Sequence, residues 1–248
     1  MAEFTSYRSY MQFAESVKTR WRYASDPEQN AFLKALLATS VARQEVIVCG
    51  SMLWRAQLGH DHYAADDLAG EQQPAPLPVE RMKPLRNRAR EGRANPKGIP
   101  YLYLATHQDT AMAEVRPWVG SLISIGRFAL KRDVHVLNCV SNDHRMMVYS
   151  REPEERERAV WQDIDRAFSR PVTSGDDTAD YAPTQIIAEF FRANGLDGIA
   201  YGSSFGPGHN VALFDTDVAS LMHCELLEIR GVKLDSTIAG NPYGVSPE

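Results

Sequence analysis

Between Arg93 and Pro117 the chain reads RANPKGIPYLYLATHQDTAMAEVRP, which gathers residue types that can do chemistry together. The planar fork of Arg93 suits phosphate oxygens, which it can bind in pairs. The rings of Tyr101 and Tyr103 can stack on a flat heterocycle while their hydroxyls stay available. Glu114 is a lone carboxylate, able to stabilise positive charge that builds on a ribosyl carbon. The set fits a small anionic molecule with a flat ring at one end and a bond to cleave in its middle. Two further residues belong beside it. Ser203, in the turn GSSFGPGHN, can donate or accept a hydrogen bond where glycines let the backbone approach a ligand closely, and a purely structural turn serine is an equal reading. Arg55, on a strand, is either a surface charge or an inward anion ligand, and composition does not decide between them.

Other chemistries find no support. The turn at 202–210 has the wrong spacing for GxGxxG and precedes a strand, not a helix, which disfavours a dinucleotide redox fold. The phosphate-loop pattern and the GxSxG elbow are both absent. His60 and His62 form an HxH pair with no third ligand nearby, so no metal is expected. Cys49, Cys139 and Cys224 lie far apart and suggest buried thiols in a reducing compartment. One carboxylate without an acid partner requires a leaving group that departs unprotonated. A pyridinium does so, and this favours a nicotinamide dinucleotide over an ordinary glycoside, although such residue types are common and do not single it out by themselves.

The bulk numbers are ordinary for a soluble globular protein. The 248 residues, 44% hydrophobic and 24% charged, allow one generous domain or a domain with an appendage. A net charge of −5 argues against a general nucleic-acid binder. Residues 81–100 nevertheless carry seven cations (Arg81, Lys83, Arg86, Arg88, Arg90, Arg93 and Lys97) against Glu91 alone. Such an island suggests a local anion site or a solvated loop; next to Tyr101 and Tyr103 it also leaves RNA binding open, against the overall acidity. No apolar run is long enough to span a membrane and no signal peptide is evident, so a cytoplasmic protein is expected.

The elements that must position these residues follow from periodicity. Helices are expected over 4–24 and from Asp26-Pro27 to about Arg43, the latter with Asp as cap and Pro at the first helical position. The front segment reads as a helical appendage or a partner-contact element. Strands are expected at 50–57, 99–105, 122–130, 134–139, 198–201, 211–214 and 222–234. Short helix 110–116, capped by Asp109, carries Glu114; helices 151–169 and 183–194 complete the set. Pro74, Pro76, Pro78 and Pro84 make 64–85 a loop without regular structure. The order of elements gives α+β with a mixed sheet.

The segments WRAQ (54–57), RANPKGIPYLYLAT (93–106), TAMAEVRP (110–117), PTQIIAEFF (183–191) and GLDGIAYGSSFGPGHNVALFD (195–215) together resemble the RES domain, over roughly 50–220. The family takes its name from an arginine, a glutamate and a serine, which the resemblance assigns to Arg93, Glu114 and Ser203, with Ser204 adjacent. It assigns Arg55 as the second arginine of the pocket and Tyr103 or Tyr101 as the stacking ring. It implies a fold like that of ADP-ribosyltransferases, with an N-terminal helical extension at 1–48, the domain at 49–238 and a tail at 239–248. It also implies a toxin of a toxin–antitoxin pair that degrades NAD by phosphorolysis to nicotinamide and ADP-ribose 1-phosphate. NAD and inorganic phosphate are then substrates, with no cofactor, and the partner is an Xre-type antitoxin; homo-oligomers stay open. The helical front and the proline-rich loop are additions to the compact toxin, and they leave room for self-regulation or a different partner. A glycohydrolase or a protein ADP-ribosyltransferase would use the same pocket, and a non-catalytic nucleotide-sensing or partner-binding module is the alternative from another class.

Overall fold

A computed structural model describes residues 3–24, 26–64, 72–86, 88–141, 152–171, 178–238 and 240. Helices α1 (Ser9–Thr19) and α2 (Pro27–Ser40) lead into strands β1 (Gln44–Ile47), β2 (Met52–Leu58), β3 (Asp61–Ala64) and β4 (Gln72–Ala75). The short helix α3 (Val79–Met82) precedes β5 (Leu102–Ala105), α4 (Gln108–Glu114), β6 (Leu122–Leu130) and β7 (Val134–Asn138). Helix α5 (Pro153–Ser169), a 3-10 turn at Thr178–Tyr181 and α6 (Ala182–Ala193) are followed by β8 (Gly198–Gly202), β9 (His209–Leu213) and β10 (Ala219–Glu228). The protein is α+β: eight strands form one sheet in the order β1-β7-β8-β9-β5-β2-β6-β10, with β7 and β8 parallel and the other neighbours antiparallel.

Strand alternation sorts the side chains onto two faces. Leu53, Leu102, Leu104, Val211 and Leu213 share one face with Phe128 and Val136. Tyr101, Tyr103, Ile199, Tyr201 and Ala212 belong to the other, beneath α5 and α6. The sheet has a seam. Strands β2 and β6 pair from Met52 to Leu58, but β2 and β5 share only Trp54↔Ala105. Across that seam Arg55 Nη1 donates to the Tyr103 carbonyl at 3.0 Å, satisfying an acceptor that no ladder bond from β2 reaches.

The front helices are built into the core. Phe13 and Phe32 stack with centroids 4.4 Å apart and join Leu36, Trp161, Ile164 and Phe191 in one buried cluster. Trp161 Nε1 donates to Thr39 Oγ1 at 3.2 Å, tying α5 to α2. Strand β1, which falls inside the expected extension 1–48, pairs with β7 as an edge of the main sheet. Helices α1 and α2 thus pack on each other and against α5 and α6.

Several local expectations shift. The first helix is shorter than 4–24, and Trp21 and Tyr23 beyond it are exposed. Asp26 caps α2 as expected, accepting from Glu28 N at 2.9 Å. Asp109 is not the cap of α4: that helix starts one residue earlier, behind His107, leaving Asp109 in the first turn, where a negative charge meets the positive end of the helix. The proline-rich loop holds regular structure after all. Strand β4 contains Pro74, opposite His62 of β3 in a separate two-stranded ribbon, where a proline can face outward without breaking a ladder. Residues 65–71 of that loop, Arg151 at the head of the charged helix and, apart from Gly240, the tail 239–248 lie outside the described residues. No described helix is long and apolar enough to cross a membrane.

Phe13→Ala removes a ring that is 3% exposed and should cost about 3–5 kcal/mol. The check is urea unfolding followed by far-UV circular dichroism, expected to show one transition at a lower midpoint. An unmoved midpoint would mean that the front helices fold independently of the sheet.

Candidate active site

Three segments distant in sequence meet around one carboxylate. Glu114, the last residue of α4, accepts through Oε1 from Ser203 Oγ at 2.8 Å and from Asn210 Nδ2 at 2.5 Å. Both bonds fall on the same oxygen, and among the described residues Oε2 takes none. Beside it is a cavity of about 230 Å³ lined by Glu114, Arg93, Arg116, Arg170, Phe205 and Asn210, with Tyr201 and Phe168 among the rings of its wall. Three arginines thus line the cavity beside one carboxylate.

Each side chain is delivered by its own device. Arg93 comes from the loop before β5; its Nη2 donates to the Arg170 carbonyl at 2.5 Å and its guanidinium lies 4.8 Å over the Tyr181 ring. Arg93 Nε is buried without a partner, leaving donor capacity on the side chain. Arg116, just past the end of α4, sits at φ 48, in the left-handed region that residues other than glycine rarely adopt, with its guanidinium 4.8 Å over the Phe205 ring. Tyr201 stands on β8 beneath them. Burial pushes its phenol well up, helped by Tyr103 and the negative charge of Glu114 and opposed by Arg93, so it stays a neutral hydroxyl.

The turn that carries Ser203 is pinned from below. Asp165 on α5 accepts from Gly202 N at 2.9 Å and Ser169 Oγ at 3.2 Å through Oδ1, and from Ser141 N at 2.9 Å through Oδ2. Thr110 of α4 bonds the Pro207 carbonyl. Gly208, at φ +74, lies so close to the His107 and Thr106 side chains that a Cβ there would stand 2.2 Å from His107 Nδ1. Glycine is required at this point on both counts. Ser203 donates to Glu114 and accepts from Phe205 N at 3.2 Å, whereas Ser204 turns away to the Ser169 carbonyl.

The fold brings Arg93, Glu114 and Ser203 together and leaves three other expected residues elsewhere. Arg55 projects from β2 on the face opposite Trp54 and Ala56, into a separate cleft. Tyr101 is 1% exposed, packed on Phe214 with the Arg192 guanidinium 5.7 Å over its ring. The Tyr103 hydroxyl donates to Asn95 Oδ1 at 2.7 Å and accepts from Ala94 N at 3.0 Å, so the ring anchors the 92–95 loop. Neither tyrosine lines the Glu114 cavity. Sequence reasoning passed over Asn210, Arg116, Phe205 and Asp165. Asn210 carried a usable signal: a polar side chain near the start of the apolar strand HNVAL. Asp165 carried none, since it is one acid in a charged helix. His60 and His62 put their rings 4.8 Å apart, and no group of three or more metal-ligating side chains forms among the described residues.

A family model described as the RES domain matches residues 52–230. One chain of the crystal structure of the M. tuberculosis MbcT–MbcA toxin–antitoxin complex is similar at 17% identity and a TM-score of 0.43, covering 78% of this chain and 92% of that one. No curated protein matches.

Asp165→Ala leaves the Gly202 and Ser141 amides without an acceptor and should destabilise the fold by about 1–3 kcal/mol. Amide exchange at Gly202 should quicken well beyond that at Leu213 in β9. Equal protection of Gly202 in both proteins would show that the carboxylate does not hold the turn.

Proposed function

The chain belongs to the RES domain family, and from that premise we propose that it is an NAD-degrading enzyme of the toxin type, cleaving the bond between nicotinamide and ribose. The observation that carries this reading is the single carboxylate of Glu114, oriented by Ser203 and Asn210 through one oxygen with the other left open beside a cavity rich in arginine. A cavity of about 230 Å³ is smaller than the roughly 300–1,000 Å³ of sites that enclose whole ligands. It suits the nicotinamide–ribose end of the dinucleotide, with the remainder outside.

In this reading the C1′–N1 bond breaks with its electron pair passing to the pyridinium nitrogen, which leaves as neutral nicotinamide and needs no proton. The ribosyl carbon gains oxocarbenium character, and Glu114 Oε2 stabilises it. Ser203 and Asn210 keep the carboxylate in one rotamer, so little reorganisation is needed as charge develops. Arg93 grips the anionic part of the substrate. Phe168, Tyr201 and Phe205 are the rings of the cavity wall that the nicotinamide would meet. A phosphate oxygen then forms the new bond at C1′, giving ADP-ribose 1-phosphate. Phosphate, not water, is the attacker that the resemblance to the RES domain implies. An NAD substrate places the activity in the cytoplasm, and the resemblance adds an Xre-type antitoxin as protein partner.

Glu114→Gln should bind NAD within a few-fold of the parent while nicotinamide release falls roughly 10²–10³-fold. Release at the parental rate in that variant would remove Glu114 from its role. With the parent enzyme, phosphorus NMR should show ADP-ribose 1-phosphate only when phosphate is present; full-rate release without phosphate would leave hydrolysis as the reaction.

A further inference from the structure

Arg93 reaches the Glu114 cavity from a loop, and a loop does not by itself fix a long, flexible side chain. The hold comes from the head of α6. Gln185 Nε2 donates to the Gly92 carbonyl at 3.0 Å and to the Asn95 carbonyl at 3.1 Å, so one amide spans both ends of the turn on which Arg93 sits. That turn closes on itself through Gly92 N, which donates to the same Asn95 carbonyl at 2.9 Å. Tyr181, 9% exposed, stands at the start of the helix with its ring 4.8 Å from the Arg93 guanidinium. Residues four apart on a helix share a face, which lets Tyr181 meet the side chain while Gln185 holds the backbone.

Tyr181 is anchored in its turn. Its carbonyl accepts from Thr184 Oγ1 at 3.0 Å, and Asp180 beside it pairs with Lys18 Nζ of α1 at 2.5 Å. Helix α1 lies outside residues 52–230, so this last anchor comes from beyond the segment that the family model matches.

We propose that Tyr181 and Gln185 are positioning residues for Arg93, anchored by Lys18 of the front helix. They act through Arg93 and not on the substrate. A guanidinium fixed over a ring before the substrate arrives has less rotamer freedom to lose on binding, so the effect falls on affinity and not on bond cleavage at Glu114. The contact is made by the face of the ring, so phenylalanine serves as well as tyrosine. The effect on affinity rests on the reading of Arg93 as the group that grips the anionic part of NAD; the order of its side chain is measured without substrate.

The test is NMR relaxation of the Arg93 Nε–H group, assigned by its loss in Arg93→Lys, together with steady-state release of nicotinamide from NAD. In Tyr181→Leu the order parameter of that group should fall and the KM for NAD should rise roughly three- to thirtyfold, with kcat kept within about threefold. Gln185→Leu should do the same, and Tyr181→Phe should match the parent. Lys18→Met should raise KM about two- to fivefold, and the exchange Lys18→Asp/Asp180→Lys should restore it. In an Arg93→Ala background Tyr181→Leu should raise KM no further, which separates positioning from a general loss of fold. An unmoved order parameter in Tyr181→Leu, or a Tyr181→Phe variant as impaired as Tyr181→Leu, would overturn the proposal. A parent that releases no nicotinamide while Tyr181→Leu frees the Arg93 side chain would strike the enzymatic reading and leave the positioning role standing.

Discussion

A carboxylate that must be held still while charge develops next to it sets the demands on the rest of this molecule. Glu114 stands at the end of a two-turn helix, too short to be stable alone. Its position is fixed from outside, by Ser203 on a turn and Asn210 on β9. The turn is held in its own right, by Asp165 at Gly202 and by Thr110 at Pro207. The hydrogen bonds run in series from α4 through the turn to α5, and a fault at any link loosens the others.

The same logic explains the arginines. A guanidinium aimed at a ligand needs one side committed to the protein and one side free to bind. Arg93 is committed through the Arg170 carbonyl and the Tyr181 ring, with its Nε unbonded among the described residues; the Arg116 guanidinium lies over Phe205 from a left-handed backbone conformation. Tyr181 belongs to a turn whose Asp180 pairs with Lys18 of α1 at 2.5 Å. The front helices thus reach to within a few residues of the cavity, even though the family match begins only at residue 52.

Arg55 reports a different constraint. A sheet of eight strands cannot remain fully paired where β2 and β5 part after one residue pair, and the exposed carbonyl of Tyr103 needs a donor. An arginine meets that need with one nitrogen and leaves the others pointing into a cleft. The seam therefore creates both the structural role of Arg55 and the opening into which further cations from residues 81–90 converge.

How much of this was legible beforehand depends on the range of the interaction. Periodicity placed most strands and the longer helices, since alternation and the 3.6-residue repeat are local and imprint directly on sequence. Residue chemistry drew attention to Arg93, Glu114 and Ser203 but left a structural turn serine an equal reading, and the resemblance to the RES domain assigned the three together. Which hydroxyl of Ser203 and Ser204 faces the acid, and that Asn210 shares it, were decided by the register of β8 against β9. That Tyr101 and Tyr103 serve the core, and that Arg55 points away from Glu114, followed from strand alternation measured against a sheet whose neighbours lie up to about a hundred residues away in the chain, as Tyr103 does from Ala212. A side chain's type belongs to the sequence; what it faces depends on long-range pairing, which only the folded chain fixes.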